Sequence, residues 1–418
     1  MMTNLPELPK PRAERLTSLD ALRGFNIFLL FLVDYIVESY RSGPFASYEG
    51  KRDSWLPFLD QFRHTSWGGF SLCDLIMPLF LFMAGVAIPF ALAKYIGPAG
   101  EKKNRALWIR MLRRVAVLWI FGMCVQGNLL DLVPSEFKPY SNTLQAIATG
   151  YFFACLAYLY LPCWSRYVLF VLLLAGYWAG CAWITLETSH GTFGGGSFAQ
   201  GTNLPYGVDV VVLGRWMHYA TVENGQVVFA PGYHYSWIYS SLTFVATTLS
   251  GMFAGELLFK TREKMKAQED GKGRLKLQLT AFVVIAAFGA LLLYLGKLWD
   301  GVPEGTVAYC PIIKQLWTSS MVLYSSGLCL LLLAFFYLIY DICKLPVLKT
   351  FFIVLGANAI AAYMLVHIFH FNEIAHCLTY GLEKYIGVWQ RVVDSVVGVA
   401  IVWLMLWDCW KRGKILRV

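Results

Sequence analysis

Charge is what this sequence has least of. Only 15% of its 418 residues are Asp, Glu, Lys or Arg, whereas 57% are hydrophobic. A soluble domain is typically about a quarter charged, so this chain has too few polar side chains to face water on every side, and lipid must cover much of it. In lipid each backbone N–H and C=O has to be paired internally, which leaves helices and closed barrels as the spanning structures. The apolar–polar alternation over about ten residues that marks a barrel strand is missing as well. A cleavable signal peptide is also missing: the first apolar run starts near Ala21, carries no small-residue cleavage site and is followed by further runs. The ten cysteines include no CxxC pair and show no spacing of secreted disulfides, so we read them as small apolar packers.

What is present is a succession of nearly unbroken apolar runs of about 20 residues, the length a helix needs to cross about 30 Å of hydrocarbon. They predict helices near 21–40, 70–93, 109–130, 143–161, 167–186, 236–259, 277–298, 317–341, 350–371 and 389–409. The expected fold is all-α, a polytopic transmembrane helical bundle of about ten helices forming one domain over residues 1–418. Lys and Arg assign the sides, because cytoplasmic loops are enriched in them. Lys10, Arg12, Arg15 and Arg23, the 94–114 and 260–276 loops, Arg166, Lys344, Lys349 and the tail after 410 together hold 25 of the 35 basic residues. Both termini are therefore expected in the cytoplasm. The net charge of +9 is a topology signal on this reading, and no nucleic-acid partner is expected. Two long loops, 41–69 and 187–235, fall on the non-cytoplasmic side and are rich in Trp, Tyr and Gly. Their aromatic faces suit either a sugar platform or an interfacial belt.

An ionisable group inside a span is costly and points to function. Asp20 and Arg23 stand three residues apart at the start of the first helix, so they share a face and can pair. Asp34 lies deeper in that helix, Asp74 about one turn inside the second, and His64 just ahead of it. The first hairpin is expected to bring Asp34, His64 and Asp74 to the same outer half of the membrane. A carboxylate beside a histidine fixes its tautomer and raises its basicity, which suits proton abstraction from an amine or hydroxyl. Structural alternatives exist for each: an interfacial Asp20–Arg23 ion pair, an Asp74 cap on a kink near Pro78, a histidine serving packing alone. His367, His370, Glu373 and His376 recur every three residues and drift around a helix, so no metal site is expected.

The run Leu16-Thr17-Ser18-Leu19-Asp20-Ala21-Leu22-Arg23-Gly24 resembles the opening of the transmembrane acyltransferase superfamily. The block His64-x-Ser66-Trp67-x-Gly69-x-x-x-x-Asp74-Leu75-x-x-Pro78-x-Phe80-x-Phe82-x-x-Gly85 is similar to the signature of heparan-α-glucosaminide N-acetyltransferases and their bacterial relatives. Weaker matches lie at Leu144-Gln145, Pro311 to Ser320, Gly356-Ala357-Asn358 and Lys411 to Leu416. The resemblance implies an enzyme that moves acetyl from cytoplasmic acetyl-CoA to the amine of a glucosamine-type sugar across the membrane. His64 then matches the catalytic histidine, with Asp34 and Asp74 in support. Asp34 stands where the lysosomal enzymes have Asn. On the CoA side the implied contacts are Arg110, Arg113, Arg114, Lys344, Asn358 and Gln145, and on the acceptor side Trp67, Asp20, Arg23 and Trp317. Direct transfer and an acetyl-His64 intermediate both remain open. The implied partners are an amino-sugar or glycan acceptor, the bilayer and a second copy in a homodimer. Leu144-Gln145-Ala146 departs from the family's Leu-Gln-Arg, and the first outer loop is longer. No large domain precedes the first helix, which points to a bacterial member in the cytoplasmic (inner) membrane. Two other readings are an amino-sugar permease and an O-acyltransferase of an exported glycan. The His64–Asp74 block is not repeated in the second half, which weighs against a permease built from two similar halves.

Overall fold

The structure, a computed structural model, describes residues 16–42, 61–95, 104–127, 137–218, 220–223, 226–229 and 235–415. The basic residues before position 16, the first part of the long 41–69 loop and Tyr233, all singled out from sequence, lie outside the described residues. Helix α1 runs Thr17–Phe31 and continues through a π-helical turn, Leu32–Val37, into Glu38–Ser42. Then come α2 (Ile76–Leu92, entered through a 3₁₀ turn at Cys73–Leu75), α3 (Asn104–Gln126), α4 (Thr143–Tyr160), α5 (Cys163–Trp183) and a short α6 (Leu204–Val212). They are followed by α7 (Ser241–Ala267), α8 (Gly271–Asp300), α9 (Ser319–Tyr337), α10 (Lys349–Ala357), α11 (Ala359–Ile368), α12 (Phe371–Thr379) and α13 (Gln390–Lys411).

Among the described residues, seven helical stretches are long and apolar enough to cross a bilayer, and eight if one bent pair counts as a span. The protein is an integral membrane protein. Of the segments predicted to span, α1 carries Asp20, Arg23 and Asp34, and α3 opens with Arg105, Arg110, Arg113 and Arg114. Neither is among the seven. The bent pair is α10 and α11, which meet at 75° where a single helix 350–371 was expected. Asn358, at φ −123° and ψ 36°, interrupts the helical backbone there.

Two further differences come from local capping and turn chemistry. The basic stretch 260–276, expected as a loop, is nearly all helix: α7 extends to Ala267 and α8 restarts at Gly271. Asp270 caps α8, its carboxylate accepting the N–H groups of Lys272 at 3.0 Å and Gly273 at 3.1 Å. The outer 187–235 stretch contains two antiparallel hairpins, β1 (Thr185–Thr188) with β2 (Gly191–Gly194) and β3 (Ala220–Glu223) with β4 (Gln226–Phe229). Asn-Gly, the pair best suited to a two-residue hairpin loop, stands between β3 and β4.

The chain divides into two compact units. In the unit formed by Met1–Arg52 and Leu333–Arg417, α1 lies directly on α10. A Cβ on Gly24 would fall on the carbonyl of Phe352, and one on Gly356 on that of Asp20. Asp341 accepts the first two N–H groups of α1, from Thr17 and Ser18, each at 3.1 Å. In the unit Asp53–Leu332, α2 is buried almost throughout and packs backbone to backbone on α7: Gly85 meets Thr248, and Gly251 meets Phe82. Asp209, on α6, is fully buried and accepts the N–H groups of Trp237 (2.7 Å) and Ile238 (2.9 Å), tying the outer loop to the approach of α7. Burial pushes its carboxyl up to about 7, against the pull of those two donors.

Two outcomes follow from this packing. Gly85→Val and Gly251→Val should each lower stability by about 2 kcal/mol or more, read as a fall in melting temperature and in monodisperse yield. Asp209 has a folded-state pKa above its unfolded value of about 3.9. Its contribution is therefore full below that value and lost as pH rises through about 7. The melting temperature should decline between about pH 4 and 7, and Asp209→Asn should flatten the decline.

Candidate active site

The residues that carry chemistry converge where two non-helical segments of the second unit meet. One is the run from Gln61 to Leu72 that leads into α2. The other is Cys310 to Thr318, between α8 and α9. They are joined by an isolated antiparallel bridge between Gly68 and Ile313, with Gly69 N–H donating to the Ile312 carbonyl at 2.9 Å. Irregular backbone inside a membrane protein is tolerated where protein surrounds it, and here it is pinned on several sides. Asp300 accepts the Ile312 N–H at 2.8 Å. The Leu316 carbonyl accepts the hydroxyls of Tyr177 at 2.5 Å and Ser240 at 2.7 Å. Trp317 turns the chain at φ 54° and buries its ring, donating its indole N–H to Thr247 at 2.9 Å.

Asp74 lies in the turn that enters α2, ahead of the helix and not one turn inside it, and is completely buried. Both of its oxygens are engaged. Oδ2 accepts from the N–H and hydroxyl of Ser71 at 3.1 and 3.0 Å, and from the hydroxyl of Thr65 at 3.1 Å. Oδ1 faces His64 Nδ1 at 2.8 Å and Lys314 Nζ at 3.1 Å. The His64 side chain is 48% exposed, that of Lys314 only 3%. Lys314 Nζ also lies 2.9 Å from His64 Nδ1. The Sγ of Cys73 is 3.2 Å from the same nitrogen. The arrangement is a half-exposed histidine anchored through Nδ1 to a buried carboxylate, with the Cys73 Sγ also 3.5 Å from its Nε2. Such a ring can accept a proton or attack a carbonyl through Nε2.

The other residues singled out from sequence fall in different surroundings. Trp67 packs against the cluster of Tyr177, Cys181, Phe198 and Cys310 and donates its indole N–H to the Phe198 carbonyl at 2.9 Å. Gln145 caps α4: its Oε1 accepts the N–H groups of Ser141 (2.8 Å) and Asn142 (3.0 Å), and its Nε2 donates to the Pro139 carbonyl. Arg114 stacks over the Tyr151 ring at 4.2 Å and Arg110 over that of Tyr95 at 5.8 Å, while Arg113 is exposed. In the first unit, Asp20 and Arg23 pair at 3.6 Å. Asp34 is exposed on the π-helical turn, Lys344 is exposed, and Asn358 marks the α10–α11 break. The four-residue His/Glu series does not share one helix. His367 Nδ1 contacts the Tyr363 carbonyl at 2.9 Å, and His376 Nδ1 contacts Asp394 at the same distance.

Sequence reasoning missed Lys314. It held that residue only as part of the Pro311 to Ser320 match and gave it no role, although a lysine adjoining an apolar run is itself a costly ion that asks for a partner. Removing that partner should be severe. Asp74→Asn leaves the buried ammonium without its carboxylate and should destabilise by about 3–5 kcal/mol. Asp74→Asn combined with Lys314→Met should recover most of the loss, as thermal unfolding of the three variants in detergent will show.

A family described as Domain of unknown function (DUF5009) matches residues 15–161, the stretch that holds Asp20, Arg23, Asp34, His64 and Asp74. Human heparan-alpha-glucosaminide N-acetyltransferase is 23% identical over 387 residues, which cover 84% of this chain and 52% of that protein. The chain thus spans about half the length of the curated relative it matches. The likeness carried by the His64–Gly85 block therefore extends along most of the chain: it is a distant relative of an acyltransferase.

Proposed function

We propose that the protein is a transmembrane N-acetyltransferase that moves acetyl from cytoplasmic acetyl-CoA to the amine of a glucosamine-type sugar on the far side of a bacterial inner membrane. The observation that carries this reading is the His64–Asp74 contact: a half-exposed imidazole is held through Nδ1 by a fully buried carboxylate. The similarity to heparan-alpha-glucosaminide N-acetyltransferase supports the choice of acyl group and acceptor. In the direct route the amine nitrogen forms the new N–C bond, the thioester C–S bond breaks to release the CoA thiolate, and His64 Nε2 carries off the amine proton. In the covalent route Nε2 bonds the acetyl carbon as the C–S bond breaks and the CoA thiolate leaves; the amine then forms its N–C bond as the bond to Nε2 breaks, and the freed Nε2 takes the amine proton. Ten crossings with both termini in the cytoplasm would set the basic ends of α3 and α7 on the donor side and His64 on the acceptor side.

Within this reading Arg110, Arg113 and Arg114 serve the nucleotide end of the donor, since guanidinium forks match phosphate oxygens. Gln145 acts indirectly, by holding the start of α4. Trp67 serves the acceptor. Trp317 is buried and shapes the turn that carries Lys314.

Sealed vesicles with labelled acetyl-CoA inside and glucosamine outside test the proposal. N-acetylated sugar should accumulate outside, and His64→Ala should slow it by at least about 100-fold. Full activity in His64→Ala, or entry of unmodified sugar independent of acetyl-CoA, would overturn it. Labelled acetyl trapped on the wild-type protein and absent from the variant would select the covalent route.

A further inference from the structure

A base is useful only if it is unprotonated when the substrate arrives, and a lone carboxylate beside a histidine works against that. An aspartate facing an imidazole favours the imidazolium. Lys314 changes the balance. Its ammonium is 3.1 Å from Asp74 Oδ1 and 2.9 Å from His64 Nδ1, although it stands 250 residues away in sequence. With aspartate and lysine both charged, the pair is already neutral. Protonating His64 would place a second positive charge against a buried first one.

The backbone keeps the ammonium there. The Lys314 carbonyl accepts the Trp317 N–H at 3.0 Å, closing the turn, and the Ile313 N–H donates to the Thr318 hydroxyl at 3.2 Å. Gln315 is buried, and its amide donates to the carbonyls of Thr65 and Ser66, each at 3.1 Å. The lysine segment is thereby fastened to the residues that follow His64. The Asp74 carboxylate cannot swing away to leave Nδ1, because Ser71 and Thr65 hold its other oxygen.

We propose that Lys314 is a positioning residue that compensates the charge of Asp74 and so keeps His64 a neutral imidazole with its proton on Nδ1 and its lone pair on Nε2. The use of that lone pair rests on the acyl-transfer reading; the protonation state does not. Besides Asp74 and Lys314, the groups that face the ring are the buried thiol of Cys73 from the same turn and, across the ammonium, the Tyr235 ring at 5.8 Å. Arg63 precedes His64 and is exposed. None of these can replace the lysine's charge at Nδ1.

The test measures His64 directly, without acyl transfer. Full-length protein in nanodiscs is treated with diethyl pyrocarbonate, which modifies neutral imidazole, between pH 5 and 9. The His64 peptide is then quantified by mass spectrometry. Lys314→Met should move the pH of half-maximal reactivity up by about one unit or more, and Lys314→Arg should return it to the wild-type position. Lys314→Gln, which keeps a hydrogen-bonding head without charge, should shift as Met does and serves if the Met variant does not fold. Profiles of Lys314→Met or Lys314→Gln that overlay wild type would overturn the proposal. So would a ¹⁵N-histidine spectrum showing the His64 proton on Nε2, since Lys314 would then be donating to Nδ1. An upward shift in a protein that transfers no acetyl group would leave this inference standing while the acyl-transfer reading fell.

Discussion

The buried carboxylate of Asp74 is the interaction around which the second unit arranges its functional end. An ionised group at zero exposure survives only if every lone pair has a donor. Here the donors come from three places in the chain: the Thr65 and Ser71 side chains, the His64 ring and the Lys314 ammonium. Each donor is therefore fixed by the need to satisfy Asp74, and the orientation of His64 is a by-product of that requirement. The loop before α2 and the turn before α9 are both irregular, yet the shared carboxylate and the Gly68–Ile313 bridge give them one geometry.

Support for this cluster comes from packing that allows little movement. Behind it, α2 meets α7 with glycine against backbone on both sides. Contacts this close have no flexible side chain to absorb a displacement, and packed interiors transmit strain instead of dissipating it. Trp317 adds a non-glycine residue in the left-handed region, a conformation that persists only where the surroundings over-determine it. Tyr177, Ser240 and Thr247 supply that determination through hydrogen bonds to the turn.

Much of this was legible in the sequence because membranes simplify the code. Twenty apolar residues in a row leave few options, and among the described residues seven of the predicted spans coincide with helical stretches long and apolar enough to cross a bilayer. What the hydropathy pattern could not give was the break at Asn358, where both flanking runs are apolar and only the backbone angles differ. The hairpin at Thr185–Gly194 was hidden too, since four-residue strands leave almost no periodicity to detect, whereas the one at Ala220–Phe229 carried an Asn-Gly signal that a hydropathy reading passes over. At the site, the nearness of His64 and Asp74 was readable from their ten-residue spacing. Lys314 was not, because a contact across 250 residues has no local signature. Gln145 looked like a ligand contact when viewed as a motif and proves to be a helix cap when its hydrogen bonds are counted.

The sequence distance between Lys314 and Asp74 also constrains how the protein is made. His64, Thr65, Ser71 and Asp74 leave the ribosome early, whereas the lysine emerges after five further long helices, from α3 to α8, have been synthesised. Until then the carboxylate has no buried cation beside it, and the second unit has no final form. Biogenesis of the candidate site is therefore a late event: a chain arrested before residue 314 holds the histidine and its aspartate but lacks the charge that completes them.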